Sequence, residues 1–384
     1  MSEQRLDPTT FGVDSAELTT SLINLAPNLV SKMDISFAPL MEIKGTLREK
    51  LLRDEKIISF PKNPASQVES LCAIDGARIR EQMYVADLLV AVATTVDGKS
   101  AKTKLGGISS SWADILRHTD GTDRLAEAAM SCQEIYLASK VPHEIRILDG
   151  SFQTPIMGMR EGLFVKNPAI RDKIADMLLG EWQAPIRLAQ VAMPGTGVTL
   201  AVPKSDSATK YVEAYALDYG FDITASDRFL ASQVLLPGEM LLPRKISELA
   251  HSTVNEVEGS PKVIEAASLL RQSVKQLSEA AREGLAYTTY FKPYGPIHSG
   301  NVIRFEYIVD TAKHTNPSAL SIAVEYASIL NAECASPHLM EPFAQWAVDR
   351  KAKNISAGTR ALRKTLIRSL PPEQASLLAQ NYRT

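Results

Sequence analysis

Two aspartates occupy positions from which their carboxylates could bind a metal ion. Asp75 follows the apolar run CAI, Asp149 follows RIL, and a glycine comes directly after each. This pattern predicts a strand that ends in a sharp turn and presents a carboxylate beyond the edge of a sheet. Such hard oxygen ligands suit Mg²⁺ or Mn²⁺. Asp-Gly is also a common turn dipeptide, as Asp97-Gly98 illustrates, so either acid alone could be purely structural.

Glu134 is a third acid, in the helix-like segment AAMSCQEIYLAS, where Ile135 and Leu137 mark buried or half-buried surface. An unpaired carboxylate there would cost free energy, which a cation shared with Asp75 and Asp149 would offset. The alternative is a surface glutamate paired with a lysine or arginine. Two metal ions about 4 Å apart can activate a water and stabilise the attacking and leaving oxygens of a phosphodiester. The three acids therefore permit phosphodiester hydrolysis.

Lys204, at the end of the strand-like segment AVPK, could contact a scissile phosphate or the charge that develops on it. A solvent-exposed lysine at a strand end is the structural alternative. The sequence has no phosphate-binding loop with a Lys-Ser/Thr pair, and its six histidines are scattered without zinc-ligand spacing. ATP hydrolysis and zinc chemistry are therefore not indicated.

The elements that must position these residues alternate between strands and helices. Hydrophobic periodicity predicts helices at 15–34 and 40–56, strands ending at Asp75, Asp97 and Asp149, a helix within 110–138, a hairpin over 187–206 turning at 194–197, a helix at 262–285, a strand at 301–310 and a helix at 318–333. This order predicts a mixed sheet with helices packed on it, in one α/β domain with helical extensions at both ends.

Composition places the chain among soluble globular proteins, with 384 residues, 45% hydrophobic, 22% charged and a net charge of -2. The three cysteines are far apart, which indicates neither a disulfide framework nor a thiolate zinc site. The start MSEQRLDP lacks the features of a secretory signal, and no apolar run reaches membrane-spanning length. We therefore expect a cytoplasmic protein without a membrane partner.

A basic segment lies near the C-terminus. Residues 350–368 hold seven basic residues and no acid, and they could contact the phosphates of a nucleic acid. The alternatives are a solvated helix face or a docking surface for an acidic partner.

The order of the motifs resembles the NurA nuclease family, whose pattern is a strand with Asp-Gly, a helix bearing an acid, and a strand ending in LDGS. The corresponding segments here are CAIDGA, SCQEIYLAS and RILDGSF, with Glu134 59 positions after Asp75 and 15 before Asp149. AVPKSD and VIRFEY continue the similarity, which covers roughly residues 65–355.

The resemblance implies an RNase H-like α/β fold and a divalent-metal-dependent deoxyribonuclease, using Mn²⁺ or Mg²⁺ as a pair of ions. Such an enzyme acts as an exonuclease on DNA ends, with endonuclease activity on single strands as a further option. The implied partners are DNA, a HerA-like hexameric translocase ATPase and a second copy of the chain, in DNA end processing, repair or phage defence. The implied organisation is a helical N-terminal arm at 1–60, a nuclease domain at 61–355 and a basic helical tail at 356–384.

Asp75, Glu134 and Asp149 match the metal-binding acids of the family, and Lys204 matches a basic position at a strand end. The family often has tyrosine-proline near the C-terminus, followed about eight residues later by alanine and then histidine or aspartate. In EPFAQWAVD the aspartate is Asp349, a predicted metal ligand, while Glu341 stands where the family has tyrosine. His338 is a competing candidate, and a surface ion pair of Asp349 is the structural alternative.

Two other functions are compatible with parts of the pattern. A catalytically silent NurA-like subunit could bind DNA or cap a motor, but the retention of all three acids favours an active enzyme. An actin-like or sugar-kinase-like ATPase also has Asp-Gly turns at strand ends. The late glycine turn that would bind adenosine in such an ATPase is missing from the sequence.

Overall fold

The computed structural model describes residues 15–65, 67–193, 195, 197–204, 208–223, 225–246, 257–295, 301–309, 318–334 and 341–379. The chain forms two compact units, one of residues 1–54 with 207–234 and one of residues 55–206 with 235–384. Within the described residues, no helix is both long enough and apolar enough to cross a membrane.

The helices are α1 (Ser15–Asn24), α2 (Ala26–Arg53), α3 (Thr122–Lys140), α4 (Thr154–Leu163), α5 (Pro168–Leu179), α6 (Ala184–Ala192), α7 (Lys210–Tyr219), α8 (Asp227–Val234), α9 (Pro261–Arg282), α10 (Ala319–Glu333), α11 (Phe343–Lys353), α12 (Ile355–Ser369) and α13 (Pro372–Ala379). The strands are β1 (Ile57–Ser59), β2 (Leu71–Gln82), β3 (Asp87–Asp97), β4 (Ser109–Leu116), β5 (Ile145–Asp149), β6 (Val198–Val202), β7 (Glu239–Leu241), β8 (Arg244–Lys245), β9 (Ala286–Phe291) and β10 (Ile303–Ile308).

The smaller unit is helical and contains α1, α2, α7 and α8. The predicted helices at the N-terminus are confirmed, although α2 runs without a break through the gap expected between 34 and 40. Pro27 lies in the first turn of α2, where a missing N–H costs nothing, and the helical run is interrupted just before it, since α1 ends at Asn24. Asp227 joins α8 to α7, because its Oδ1 accepts hydrogen bonds from the N–H groups of Tyr211 and Val212, both at 2.9 Å.

The larger unit is built on one mixed sheet with the strand order β1-β7-β9-β10-β6-β5-β2-β3-β4, and β8 pairs with β9. Strands β2, β3 and β4 are antiparallel neighbours, whereas β2, β5 and β6 are parallel. Three antiparallel strands followed by two parallel ones form an RNase H-like core, so the predicted fold class is confirmed.

Helices cover both faces of this sheet. Alternate residues of a strand point to opposite faces, and in β6 Ala201 packs in the layer of α3, α4, α5, α6 and α9, while Leu200 and Val202 pack in the layer of α10 and α11. The predicted helices at 262–285 and 318–333 and the predicted strand at 301–310 correspond to α9, α10 and β10.

Two predicted elements are wrong. Residues 187–192 belong to helix α6 rather than to the first strand of a hairpin, because a short apolar run fits a helix and a strand equally well. Residues 109–116 form strand β4 rather than the start of a helix, and exposure alternates along them where β4 pairs with β3. The helix itself, α3, begins at Thr122.

The predicted turn at Asp75-Gly76 is also wrong, since β2 continues to Gln82 and pairs with β3 along this whole length. The apolar run ends at Asp75 only because the later half of β2 alternates between half-buried and exposed residues. At Asp149 the prediction is confirmed, because β5 ends there and Gly150 adopts a φ of 91°. Glycine is favoured at this left-handed conformation, since it has no Cβ.

The end of the β2–β3 hairpin that contains its turn packs against helix α12. Ile355, Leu362 and Leu366 of α12 pack against a buried apolar cluster of Met83, Ala86, Leu88 and Val90 on this hairpin. The spacing of these three residues puts them on one face of α12, which leaves the opposite face to solvent.

Candidate active site

Four predicted site residues meet where β2, β5 and β6 lie side by side. The register pairs Ile74 with Leu148, so Asp75 in the middle of β2 lies next to Asp149 at the end of β5. Lys204 follows β6 by two residues, and α11 contributes Asp349. Carboxylate oxygens of Asp75, Asp149 and Asp349 all lie within 4.8 Å of one another. Three acids from distant parts of the sequence therefore form one cluster.

The ammonium group of Lys204 lies in the middle of these carboxylates. Its Nζ is 3.6 Å from Asp75 Oδ2, 3.0 Å from Asp149 Oδ2, 3.4 Å from Glu341 Oε2 and 2.9 Å from Asp349 Oδ1. The ammonium group of Lys204 thus faces four carboxylates, of which, within the described part of the chain, only Asp349 has a second cation, Lys353, with its Nζ 2.8 Å from Oδ2. Lys204 therefore stands where a cation is attracted from several directions at once.

Helix α11 delivers a row of polar residues to the site at intervals of four: Glu341 just before the helix, then Gln345, then Asp349. The buried Gln345 donates through Nε2 to Asp149 Oδ1 at 2.8 Å and to the Val202 carbonyl at 2.7 Å. It therefore orients the Asp149 carboxylate and ties α11 to β6. The sequence prediction missed Gln345, which this i, i+4 spacing could have revealed.

Glu341 and His338 were the open alternatives for this end of the chain. Glu341 reaches Lys204 and belongs to the cluster, whereas His338 lies outside the residues that the structure describes.

Glu134 approaches the cluster from α3 on the other side of β2. A Cβ atom at Gly76 would lie only 2.6 Å from Glu134 Oε1 and 2.6 Å from Met130 Cγ. Gly76 is therefore required for the close approach of α3, not for a turn as the sequence suggested. Burial, together with the charges of Asp75 and Asp149, raises the pKa of Glu134 well above its ordinary value, which the Gly76 N–H partly opposes.

The electrostatics of the cluster show an excess of negative charge. Burial and the neighbouring Asp149 raise the pKa of Asp75 to about 7, although Lys204 acts in the opposite direction. Burial likewise raises the pKa of Glu341. Burial alone would raise the pKa of Asp349, but hydrogen bonds from Lys353 and Lys204 bring it below its ordinary value. The carboxylates outweigh burial at Lys204, whose pKa rises.

These observations fit a divalent cation. The donors are carboxylate oxygens, which Mg²⁺ and Mn²⁺ accept, and the cluster lacks sufficient positive charge from the protein itself. The buried Glu341 Oε2 lacks a hydrogen-bond partner among the described residues, with Lys204 Nζ 3.4 Å away. A cation bound among these acids would reduce the repulsion between the carboxylates and would give Glu341 Oε2 a partner.

The turn after Asp149 is held by Glu306 of the VIRFEY segment. The nearly fully buried Glu306 accepts a hydrogen bond at Oε2 from the Phe152 N–H at 3.1 Å. Thr154 Oγ1 accepts one from the Ser151 N–H at 3.0 Å. These two contacts fix the backbone that leads away from Asp149, so Glu306 is a positioning residue for the site.

Comparisons with known proteins found similarity in structure but not in sequence. No protein-family model matches the chain, and no curated protein matches it. The crystal structure of the NurA nuclease from Sulfolobus solfataricus is similar with a TM-score of 0.57 and 14% identity, over 92% of this chain and 98% of that one.

Two further crystal structures agree with this one. NurA bound to dAMP and manganese is similar with a TM-score of 0.53 and 12% identity, over 91% of this chain and 99% of that one. Another NurA structure has a TM-score of 0.53 and 10% identity, over 92% of this chain and 99% of that one. At these identities the similarity shows the fold, and it confirms at that level the resemblance predicted from the motifs.

Proposed function

We propose that this chain, which has the fold of the NurA nuclease structures, is a divalent-metal-dependent deoxyribonuclease that hydrolyses phosphodiester bonds. The observation that supports the proposal most strongly is the acidic cluster around Lys204, with oxygens of Asp75, Asp149 and Asp349 within 4.8 Å of one another. The proposed substrate is DNA, cut from its ends, and the proposed ions are Mn²⁺ or Mg²⁺, bound as a pair.

Asp75, Glu134, Asp149 and Asp349 would hold the ions, and Glu341 is placed to assist them. When bound, such ions supply a Lewis acid for the phosphate oxygens and lower the pKa of a coordinated water. Four or five carboxylates can balance more positive charge than Lys204 and Lys353 provide, so the donor set has the capacity for more than one divalent ion.

The protein's own residues fix the positions of these groups. Gln345 orients Asp149 through a hydrogen bond of 2.8 Å, and Gly76 allows Glu134 to reach the cluster. Lys204 is 30% exposed at its side chain, so its ammonium group can turn towards a phosphate oxygen and neutralise charge that develops there. Holding the acids rigidly before substrate arrives is what makes such electrostatic stabilisation effective.

The test is degradation of end-labelled linear DNA by the wild type, Asp75→Asn and Asp149→Asn, each with Mn²⁺, Mg²⁺ or EDTA. We expect metal-dependent cutting by the wild type and none by either variant, while Asp123→Asn, an exposed acid away from the cluster, serves as the matched control. Cutting that persists in EDTA would reject the metal mechanism. A site variant that cuts like the wild type would remove its residue from the site.

We further propose, from the motif resemblance and the shared fold, that the chain works in the cytoplasm as a homodimer with a HerA-like hexameric translocase ATPase, in DNA end processing or phage defence. Co-elution with such a motor and the solution mass of the chain test these partners. Absence of cutting under all conditions, even with the motor added, would instead support a catalytically silent subunit that binds DNA or caps the motor.

A further inference from the structure

The helix that supplies Asp349 also carries an aromatic pair. The rings of Phe343 and Trp346 lie with centroids 5.8 Å apart and an interplanar angle of 37°. The guanidinium of Arg350 lies over the Trp346 ring, 5.1 Å from its centroid. Three side chains at intervals of three and four thus contact one another along α11, with Arg350 over one face of the Trp346 ring, so that a further planar group would stack on the other face.

This surface is not part of the core. The buried residues of α11 are Ala344, Gln345, Val348 and Ala352, which define the face that packs on the sheet. Phe343 and Trp346 are half-buried, and among the residues that the structure describes neither ring packs in the apolar layers on the two faces of the sheet. Their position therefore calls for an explanation other than core packing.

Around the axis of α11, the aromatic pair lies next to the row of polar residues formed by Glu341, Gln345 and Asp349. With 3.6 residues per turn, Trp346 is rotated by about 60° from Asp349. Lys353 lies between them in angle, and its Nζ pairs with Asp349 Oδ2 at 2.8 Å. A strand whose phosphate lies at the carboxylates would therefore bring a neighbouring base towards Trp346 and its phosphates towards Arg350 and Lys353, both exposed.

We propose that Trp346, supported by Phe343 and Arg350, is a stacking platform for an unpaired DNA base adjacent to the scissile phosphate. The proposal rests on the proposed function and narrows its substrate to DNA with an unpaired end at the site. Aromatic rings bind bases of any sequence through their π-faces, with exposed arginines contributing charge. A base inside a duplex has both faces covered by its neighbours, so only an unstacked base can use such a platform.

Binding is measured without cutting, with the full-length chain in EDTA. In a Trp112→Phe, Trp182→Phe background, Trp346 is the single tryptophan of the sequence. We expect single-stranded oligonucleotides to quench its fluorescence, and a blunt duplex or an oligonucleotide with abasic end positions to quench it far less.

The affinity of the otherwise unchanged chain for single strands should fall by roughly 5- to 150-fold in Trp346→Ala, which corresponds to about 1–3 kcal/mol per stacked base at about 1.4 kcal/mol per tenfold. Trp346→Phe should retain most of the affinity. Trp182→Phe, at a nearly fully buried ring, is the matched control and should leave binding unchanged.

Two results would overturn the platform. One is single-strand affinity in Trp346→Ala equal to that of the wild type, which would leave the Arg350–Trp346 contact a structural one. The other is an equal loss for single strands, duplexes and abasic strands, which would indicate phosphate rather than base contacts. Because no cutting is needed, quenching without nuclease activity would reject the proposed function alone, whereas cutting with unchanged Trp346→Ala binding would reject the platform alone.

Discussion

The replacement Gly76→Ala tests whether Glu134 belongs to the site, and it does so without replacing any acidic residue. A Cβ at this position would lie 2.6 Å from Glu134 Oε1 and from Met130 Cγ, and 3.0 Å from the Val92 carbonyl oxygen. Favourable contacts begin at about 3.5 Å, so the Glu134 carboxylate must move by about 1 Å. The added methyl group therefore displaces Glu134, a predicted metal ligand, through an identified steric contact.

The magnitude follows from two separate effects. Overpacking costs about 1–3 kcal/mol, while replacing glycine within a strand returns about 0.5–1 kcal/mol, so the free energy of unfolding should fall by at most about 2.5 kcal/mol. Misplacing a catalytic group by about 1 Å can cost about 10²-fold in rate. We therefore expect a folded variant with cutting reduced by about two orders of magnitude.

The assay is Mn²⁺-dependent cleavage of end-labelled DNA together with thermal unfolding of the same preparations. Gly358→Ala is the matched control, because a Cβ added at this position in α12 would meet no atom within 4 Å and alanine should stabilise the helix by about 1 kcal/mol. The double variant Gly76→Ala, Glu134→Asp shortens the displaced side chain and should recover part of the activity that each single change removes. Wild-type cleavage by Gly76→Ala, or no coupling in the double variant, would refute the reasoning.

Three other properties should respond in defined directions. Lys204→Met should lower the free energy of unfolding in EDTA by up to about 3 kcal/mol, the lower end for removing one partner of a buried ion pair, because the four carboxylates lose their shared cation while Asp349 keeps another, Lys353. Added Mn²⁺ should then raise the melting temperature more in this variant than in the wild type, and equal increments would contradict an ion among these acids. Hydrogen bonds from His143 at 2.7 Å and the Gly106 N–H at 2.8 Å outweigh burial and lower the pKa of Asp97. Because the folded pKa is the lower one, this stabilisation is present above the unfolded pKa of about 4 and is lost as the pH falls through the folded pKa, so the wild type's advantage over Asp97→Asn in denaturant unfolding should be constant above about pH 5 and shrink as the pH is lowered to about 3. Replacing the exposed Arg360, Lys364 and Arg368 of α12 by glutamine should reduce the slope of log affinity against log salt for single strands by about 2, and an unchanged slope would show that this helix does not contact phosphates.

Local patterns in the sequence were sufficient for part of the site. Asp149-Gly150 ends its strand as predicted, because the apolar run and the glycine act within a few residues of each other. Glu134 lies in the predicted helix, and its half-buried position follows from the apolar residues around it. These features depend on residues that are close to one another in the sequence, which is why they could be predicted.

Pairing between distant strands decided the features that the sequence did not reveal. Asp75 sits inside a long strand because β3 pairs with β2 beyond it, and an exposed, alternating half of a strand lacks the apolar run that marks a strand in sequence. The sequence pattern predicts a helix in place of strand β4 for the same reason. Gln345 acquires its role only when α11 docks on β5 and β6, because its spacing from Glu341 and Asp349 indicates a shared helix face but not the strands against which that face packs.

The chain order of the acids also determines when the site can exist during synthesis. Asp349 follows Asp149 by 200 positions and Asp75 by 274. At about 5–20 residues per second, the strand carrying Asp149 leaves the ribosome about 10–40 seconds before Asp349 does, and the strand carrying Asp75 about 14–55 seconds before it. Throughout that interval the nascent chain has neither Asp349 nor the glutamine that orients Asp149. Completion of the proposed site therefore depends on a late helix, because the cluster cannot assemble before α11 has been synthesised.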